Sequence, residues 1–428
     1  MEYEGNEALH QHAKRKKPTK HSPFSSTSKQ VSSFRTPILP QELITEILSR
    51  LPVKSLLKFT CVSKSWLALI SSPQFVKTHL SVSVNNKECT NHRLMWSFGP
   101  ELNLKECTLT SLFDEFVTEV FDLDYRMISD GLYNNLPDSE MILGSVHGLI
   151  CLADKNGDLF LWNPSIRKYK KVPIPISPLS FSQWQIYGFG YDKFHNDYKV
   201  VATFLKYGSF SQGELRIYSL KSDSWRRVDD CQIGLRINVS GKFVNGKLHW
   251  PSSAFDGVCF LYTDGNFLYE GWNIISFDLA NEKWGKVEQP FYGKGEDISV
   301  LLGVLGSDLS IFCDCGGTHV DVWVMKEYGV KESWTKMCTI KYPGDQVGYG
   351  NLFSLHYFML SKGEILVAFN STSMIYNPKD DSSRILEVIN FDNNPKAEIY
   401  IESLVCPFSR EGNEGATKSK RMKKLISR

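Results

Sequence analysis

Ten histidines and ten cysteines give this 428-residue chain enough nucleophiles and ligands for catalysis or metal binding, but their spacing supports neither. Only Cys313 and Cys315 lie close together, at a spacing unlike the Cys-x-x-Cys pairs of zinc sites. The histidines are isolated except for His10 and His12 near the N-terminus. Gly188-Phe189-Gly190 and Gly348-Tyr349-Gly350 lack the third glycine of a dinucleotide loop, with Lys193 and Phe353 at those places. The string GSVHG at 144–148 has Val146 where a nucleophile elbow requires serine. His249 alternates with apolar neighbours in NGKLHW and reads as a core or channel residue. The expectation is a non-enzyme with no catalytic residue, no metal and no cofactor, whose cysteines are buried free thiols.

The elements that carry these residues must be sought in patterning. Apolar residues make up 42% of the chain and charged ones 22%, and no apolar run reaches the ~18 residues of a membrane span. The N-terminus lacks a signal-peptide core, so the expected location is the nucleus, the cytoplasm or both, with no membrane partner. A net charge of +2 conceals an uneven distribution. Residues 1–36 carry +4 and residues 408–428 carry +5, which leaves −7 on the body. Both tails are too polar to bury a core and are expected to be disordered. Lys14, Arg15, Lys16 and Lys17 form the dense basic run of a possible nuclear import signal, equally readable as a solvated tail. The acidic body argues against nucleic acid as a partner.

Between Leu39 and Leu80 the pattern becomes helical. Leu39, Leu43, Ile44, Ile47, Leu48 and Leu51 form one stripe, opened by Pro40 and stopped by Pro52. A second helix fits Leu56 and Leu57. A third, capped by Ser63, turns Trp66, Leu69 and Ile70 inward, and Ser72-Pro73 opens a last turn. These 42 residues contain 20 apolar ones, yet a chain near ~40 residues rarely builds its own core. The surplus must dock on another protein or on the rest of this chain. The string LPQELITEILSRLPVKSLLKFTCVSKSWLALISSPQFVKTHL resembles an F-box. That resemblance implies binding to a Skp-type adaptor and, through it, to cullin and RING subunits. Leu39, Pro40, Leu43, Ile47, Leu51, Pro52, Leu56 and Leu57 would be the adaptor contacts, and Trp66, Leu69 and Ile70 the module's own core.

From about residue 136 short β-like runs replace the helical period. The pattern bulky, any, polar, apolar recurs at Tyr169, Trp225, Trp284, Trp334 and Ile385, at intervals of 56, 59, 50 and 51 residues. Strands and polar turns recur around it, as in IYSLKSDSWRRV and SFDLANEKWGKV. A unit of three or four antiparallel strands near 50 residues fits a kelch-type propeller. The five bulky residues are expected to pack between blades. Strand-like alternation at 92–124, completed by AEIYIESLV at 397–405, would supply a further blade closed from both ends of the chain, giving about six.

GSVHGLICL, LWNPSIRKYKKVP, YGFGYDKFHNDYKVV and VWVMKEYGVKESWTKM, in that order, resemble the F-box-associated interaction domain of plant F-box/kelch-repeat proteins. The expected fold class is mainly β, a small three-helix F-box followed by a kelch-like β-propeller. The expected division is a basic tail (1–36), the F-box (37–80), a connector with closing strands (81–135), the propeller (136–407) and a second basic tail (408–428). The resemblance implies the substrate-recognition subunit of a Skp-cullin-F-box ubiquitin ligase, presenting an unidentified target protein. A nuclear scaffold that uses the propeller without a ligase is the alternative.

Overall fold

The computed structural model describes residues 39–86, 88–98, 103–114, 117–118, 121–123, 142–153, 158–173, 181–206, 209–228, 240–253, 272–292, 298–315, 318–341, 356–359, 363–369, 372–388 and 396–408. The import-signal residues Lys14 to Lys17, the first basic tail, residues 409–428 of the second and Gly348-Tyr349-Gly350 lie outside them. Residues 1–44 and 45–428 form two compact units, and of the first the described part is 39–44.

Four helices open the described chain, not three: α1 (Gln41–Ser49), α2 (Val53–Phe59), α3 (Lys64–Ile70) and α4 (Pro73–Val84). Local chemistry sets their ends. Pro52 stands at the N-cap of α2, and Ser63 Oγ accepts the Trp66 amide at 3.1 Å to cap α3. Ser72 Oγ accepts the Phe75 amide at 3.2 Å, with Pro73 as the first residue of α4. The expected last turn is a full helix because no breaker interrupts Ser81–Val84. Phe59 and Trp66 meet edge to face at 5.6 Å, and His79 Nε2 bonds the Leu51 carbonyl at 3.0 Å.

The remainder is a six-bladed propeller. Blade 1 mixes the chain's ends: Lys396–Ile401 is its innermost strand, followed by His92–Phe98, Asn103–Thr108 and Phe121–Asp122. Blade 2 spans strands from Ile142 to Lys171, blade 3 from Phe181 to Val228 and blade 4 from Lys242 to Val287. Blade 5 runs from Ile298 to Lys341 and blade 6 from His356 to Val388, with Val117–Thr118 added in parallel at its outer edge. One buried apolar cluster fills each of the six junctions, including that between blades 6 and 1. The ring is therefore closed by packing as well as by the antiparallel pairing of His92–Ser97 with Lys396–Ile401. Closing the ring from both termini ties the chain's two ends into one blade, and radial repetition leaves only short edges on each sheet.

Backbone proximity explains the Gly188-Phe189-Gly190 run. A Cβ at Gly188 would lie 2.7 Å from Leu248 and 2.8 Å from Trp250, so the glycines let blade 4 approach blade 3. Trp225, Trp284 and Trp334 sit at blade junctions. The Trp225 indole donates to the Pro173 carbonyl at 2.5 Å and Trp334 to the Glu288 carbonyl at 2.8 Å, each just past the preceding blade's outer strand. Trp284 packs with Val201, Leu215 and Ile217 of blade 3, and Tyr169 with the cluster between blades 1 and 2.

Ile385 does not belong to this set. It is 61% exposed, whereas Tyr169, Trp225, Trp284 and Trp334 pair with the last or penultimate residue of the neighbouring strand, at Trp162, Tyr218, Phe277 and Met325. In blade 6 the matching pair is Tyr376 with Ser383. Ile385 thus occupies the outward place held by Arg227 and Lys286, and the sequence pattern is offset there by two residues.

Candidate functional site

Thirteen large apolar side chains are exposed among the described residues, and eight of them lie between Leu39 and Val84. On residues 39–44, Leu39 is 52% and Leu43 46% exposed. In the larger unit Ile47 is 52%, Leu57 39%, Val62 60% and Leu67 48% exposed. Leu43 and Ile47 are one turn apart on α1, so they share its face. Pro40 and Pro52 are exposed and Leu51 half-buried.

The opposite sides of these helices are anchored. Leu56 is fully buried and leaves the set of expected adaptor contacts: α2 packs on the Pro164–Ile166 turn of blade 2. Val76 and Leu80 of α4 enter the cluster of Leu143, Val172, Phe189 and Val405 between blades 2 and 3. Of the expected module core, Ile70 is buried, and Trp66 and Leu69 are half-buried. Asn91 donates to Ser83 at 3.0 Å and accepts the Glu402 amide at 2.8 Å, while Arg93 pairs with Glu402 at 2.8 Å. Asn163, fully buried, donates to the Ser403 and Val405 carbonyls at 3.0 and 2.8 Å. The segment after the closing strand is thereby held between blade 2 and α4.

Helices α2 and α4 meet the propeller on the rim of short turns. There, inner strands return through two residues at His147–Gly148, Asn245–Gly246 and Gly306–Ser307. Strand ends on the other rim are joined by longer stretches: nine residues after Lys171, thirteen after Val228, eighteen after Ser253 and fourteen after Lys341. The strands Asp197–Lys206 and Ser209–Ser219 pair with each other, and 254–271 and 293–297 lie outside the described residues.

Several charged groups in the propeller pair across strands or blades. The Lys199 ammonium, buried between blades 3 and 4, bonds Asp192 at 2.8 Å and the Leu279 carbonyl at 2.7 Å. Burial would raise the Asp192 carboxyl, but Lys199 and His195 bonds hold it below the usual range. That arrangement ties two blades together. Burial pushes His147 and His249 down to about 4, which fixes both as neutral rings. Among the described residues one cluster has metal-ligand types, Cys315, His319 and Asp321 of blade 5. Sequence spacing missed it because the cluster forms across strands; the signal in the sequence was a Cys and a His flanking Gly316-Gly317-Thr318.

The profile of the F-box domain matches residues 37–78, and that of the F-box associated beta propeller domain matches residues 129–407. The chain belongs to the plant F-box proteins that carry this propeller. Three Arabidopsis thaliana relatives resemble it nearly end to end. F-box/kelch-repeat protein At3g23880 is 29% identical over 86% of this chain and 96% of its own length. F-box protein CPR1 is 28% identical over 86% and 88%, and F-box protein At4g22390 is 30% identical over 86% and 90%. The exposed helical face is thus the surface of an F-box, a module that binds Skp-type adaptors in general.

Proposed function

We propose that this F-box protein is the target-binding subunit of a Skp-cullin-F-box ubiquitin ligase. The concentration of exposed apolar side chains on helices whose other sides are buried carries the reading. An adaptor would cover Leu39, Leu43, Ile47 and Leu57 and, through its own contacts, bring cullin and RING subunits. The chain itself would break no bond. It would hold a target protein near a charged conjugating enzyme, and proximity alone accounts for large rate gains. The target would bind on the long-connection rim, away from the helices, where loops on rigid blades can vary without disturbing the ring. Lys14 to Lys17 would direct nuclear entry.

The test is co-purification of full-length protein with a Skp-type adaptor. The Leu43→Asp, Ile47→Asp double variant should lose the adaptor by at least tenfold while its melting temperature holds. Undiminished capture would overturn the reading. Leu56→Asp should instead unfold the protein, because its side chain is core.

A further inference from the structure

We propose that the far end of the second hairpin in blade 5 binds a zinc-class divalent cation through Cys315, His319 and Asp321. The three ligand atoms lie within 4.8 Å of one another, and none of the three side chains is fully buried, so an ion can reach them from water. Antiparallel register creates the cluster. Cys315 faces His319 directly across the hairpin, and Asp321 is two residues along the same strand, so all three side chains share one face.

The ring nitrogens of His319 have distinct surroundings. Nδ1 bonds the Thr318 hydroxyl at 2.8 Å, and Nε2 lies 3.8 Å from Asp321 Oδ1. A second partner on the other nitrogen is the usual way a ligating imidazole is oriented. Asp321 is oriented likewise, by the Thr339 hydroxyl at 2.8 Å. In a tetrahedral zinc site, with bonds of about 2.0–2.3 Å, neighbouring ligand atoms stand roughly 3.5 Å apart. The cluster needs only a small contraction to reach that spacing. One thiolate, one imidazole and one carboxylate select a borderline-soft ion over calcium or magnesium and leave a fourth position for water. The ion releases the thiol proton as it binds.

Lys336 competes with an ion for the Asp321 carboxylate. Its ammonium lies 2.7 Å from Asp321 Oδ2 and is 43% exposed, so it occupies the carboxylate until an ion displaces it. This predicts that removing the lysine tightens metal binding, which a purely structural cluster would not do.

The experiment titrates Co²⁺ into the reduced, metal-free full-length protein and follows the thiolate-to-cobalt charge-transfer absorption. Wild type should show the band with one equivalent bound, and Zn²⁺ should displace it. Cys315→Ser should abolish it, Thr318→Ala should weaken affinity about tenfold, and Lys336→Met should strengthen it several-fold. Circular dichroism of each variant checks the fold, and His319→Asn gives a second ligand variant should Cys315→Ser fail to fold. A band that survives both ligand variants in folded protein would place the metal at another cysteine and overturn the proposal, as would no band in wild type. The result is independent of adaptor and target binding.

Discussion

At the scale of single residues, His249 shows how burial sets chemistry. The ring is fully buried. Its Nδ1 faces the Lys242 carbonyl at 3.1 Å and Nε2 the Tyr328 hydroxyl at 2.7 Å. Since a carbonyl only accepts, Nδ1 carries the proton and Nε2 accepts from Tyr328, so the neutral ring satisfies both. Burial holds its pKa near 4, against 6.5 in an unfolded chain. Above pH 6.5 both states are neutral and the group adds no pH dependence. Between 6.5 and 4 the unfolded chain takes up a proton that the folded one refuses, so stability falls as pH falls. At pH 5 that costs about 2 kcal/mol for His249, and His147 and His79, also lowered by burial, act in the same direction. The melting temperature should therefore drop between pH 7.5 and 5, and His249→Asn should lessen the drop. A pH-independent melting temperature would contradict this account.

At the scale of elements, the ring depends on a strand taken from the far end of the chain. Lys396–Ile401 supplies the inner strand of blade 1, and its Ala397 and Tyr400 enter two junction clusters. Gly148 packs directly against the end of that strand. Its φ of +80° and a would-be Cβ 2.4 Å from the Ile401 carbonyl exclude any side chain. A chain ending at Pro395 should lose its cooperative melting transition, and an unchanged transition would show that the strand is dispensable. This closure was legible in the sequence, because alternation at 92–124 and 397–405 marked strands with no partners of their own. The tryptophan repeat was legible for the same reason: a bulky residue at a fixed turn distance survives any change of loop length. Ile385 was misplaced because one apolar residue among polar ones fits the pattern in two registers, and only pairing with Met374 decides between them. Leu56 and Leu57 are adjacent and chemically alike, so which faces the propeller is set by the Pro164–Ile166 turn over a hundred residues away. Cross-strand register, invisible in spacing, likewise hid Cys315, His319 and Asp321.

At the scale of the whole molecule, the helices from Thr45 onward and the propeller form one compact unit. The helical segment was too small to hold a core alone, and Val76 and Leu80 complete theirs with Leu143, Val172 and Val405. A buried aliphatic side chain returned to water costs about 1.5–3 kcal/mol, so neither part can unfold without exposing the other. Heating should thus give a single calorimetric transition for helices and propeller. The same coupling makes the propeller report on the helices' partner. A ligand that binds only the folded state stabilises it by RT ln(1 + [L]/Kd), about 2.7 kcal/mol at one hundred times Kd. A Skp-type adaptor on the outer helical face should therefore delay unfolding of the propeller, read by tryptophan fluorescence, to which the junction residues Trp225, Trp284 and Trp334 contribute. In Leu43→Asp, Ile47→Asp the adaptor should leave that transition where it was. An adaptor that binds but shifts only the helical signal would mean that the shared cluster does not couple the two, and that target and adaptor engage independently mobile parts.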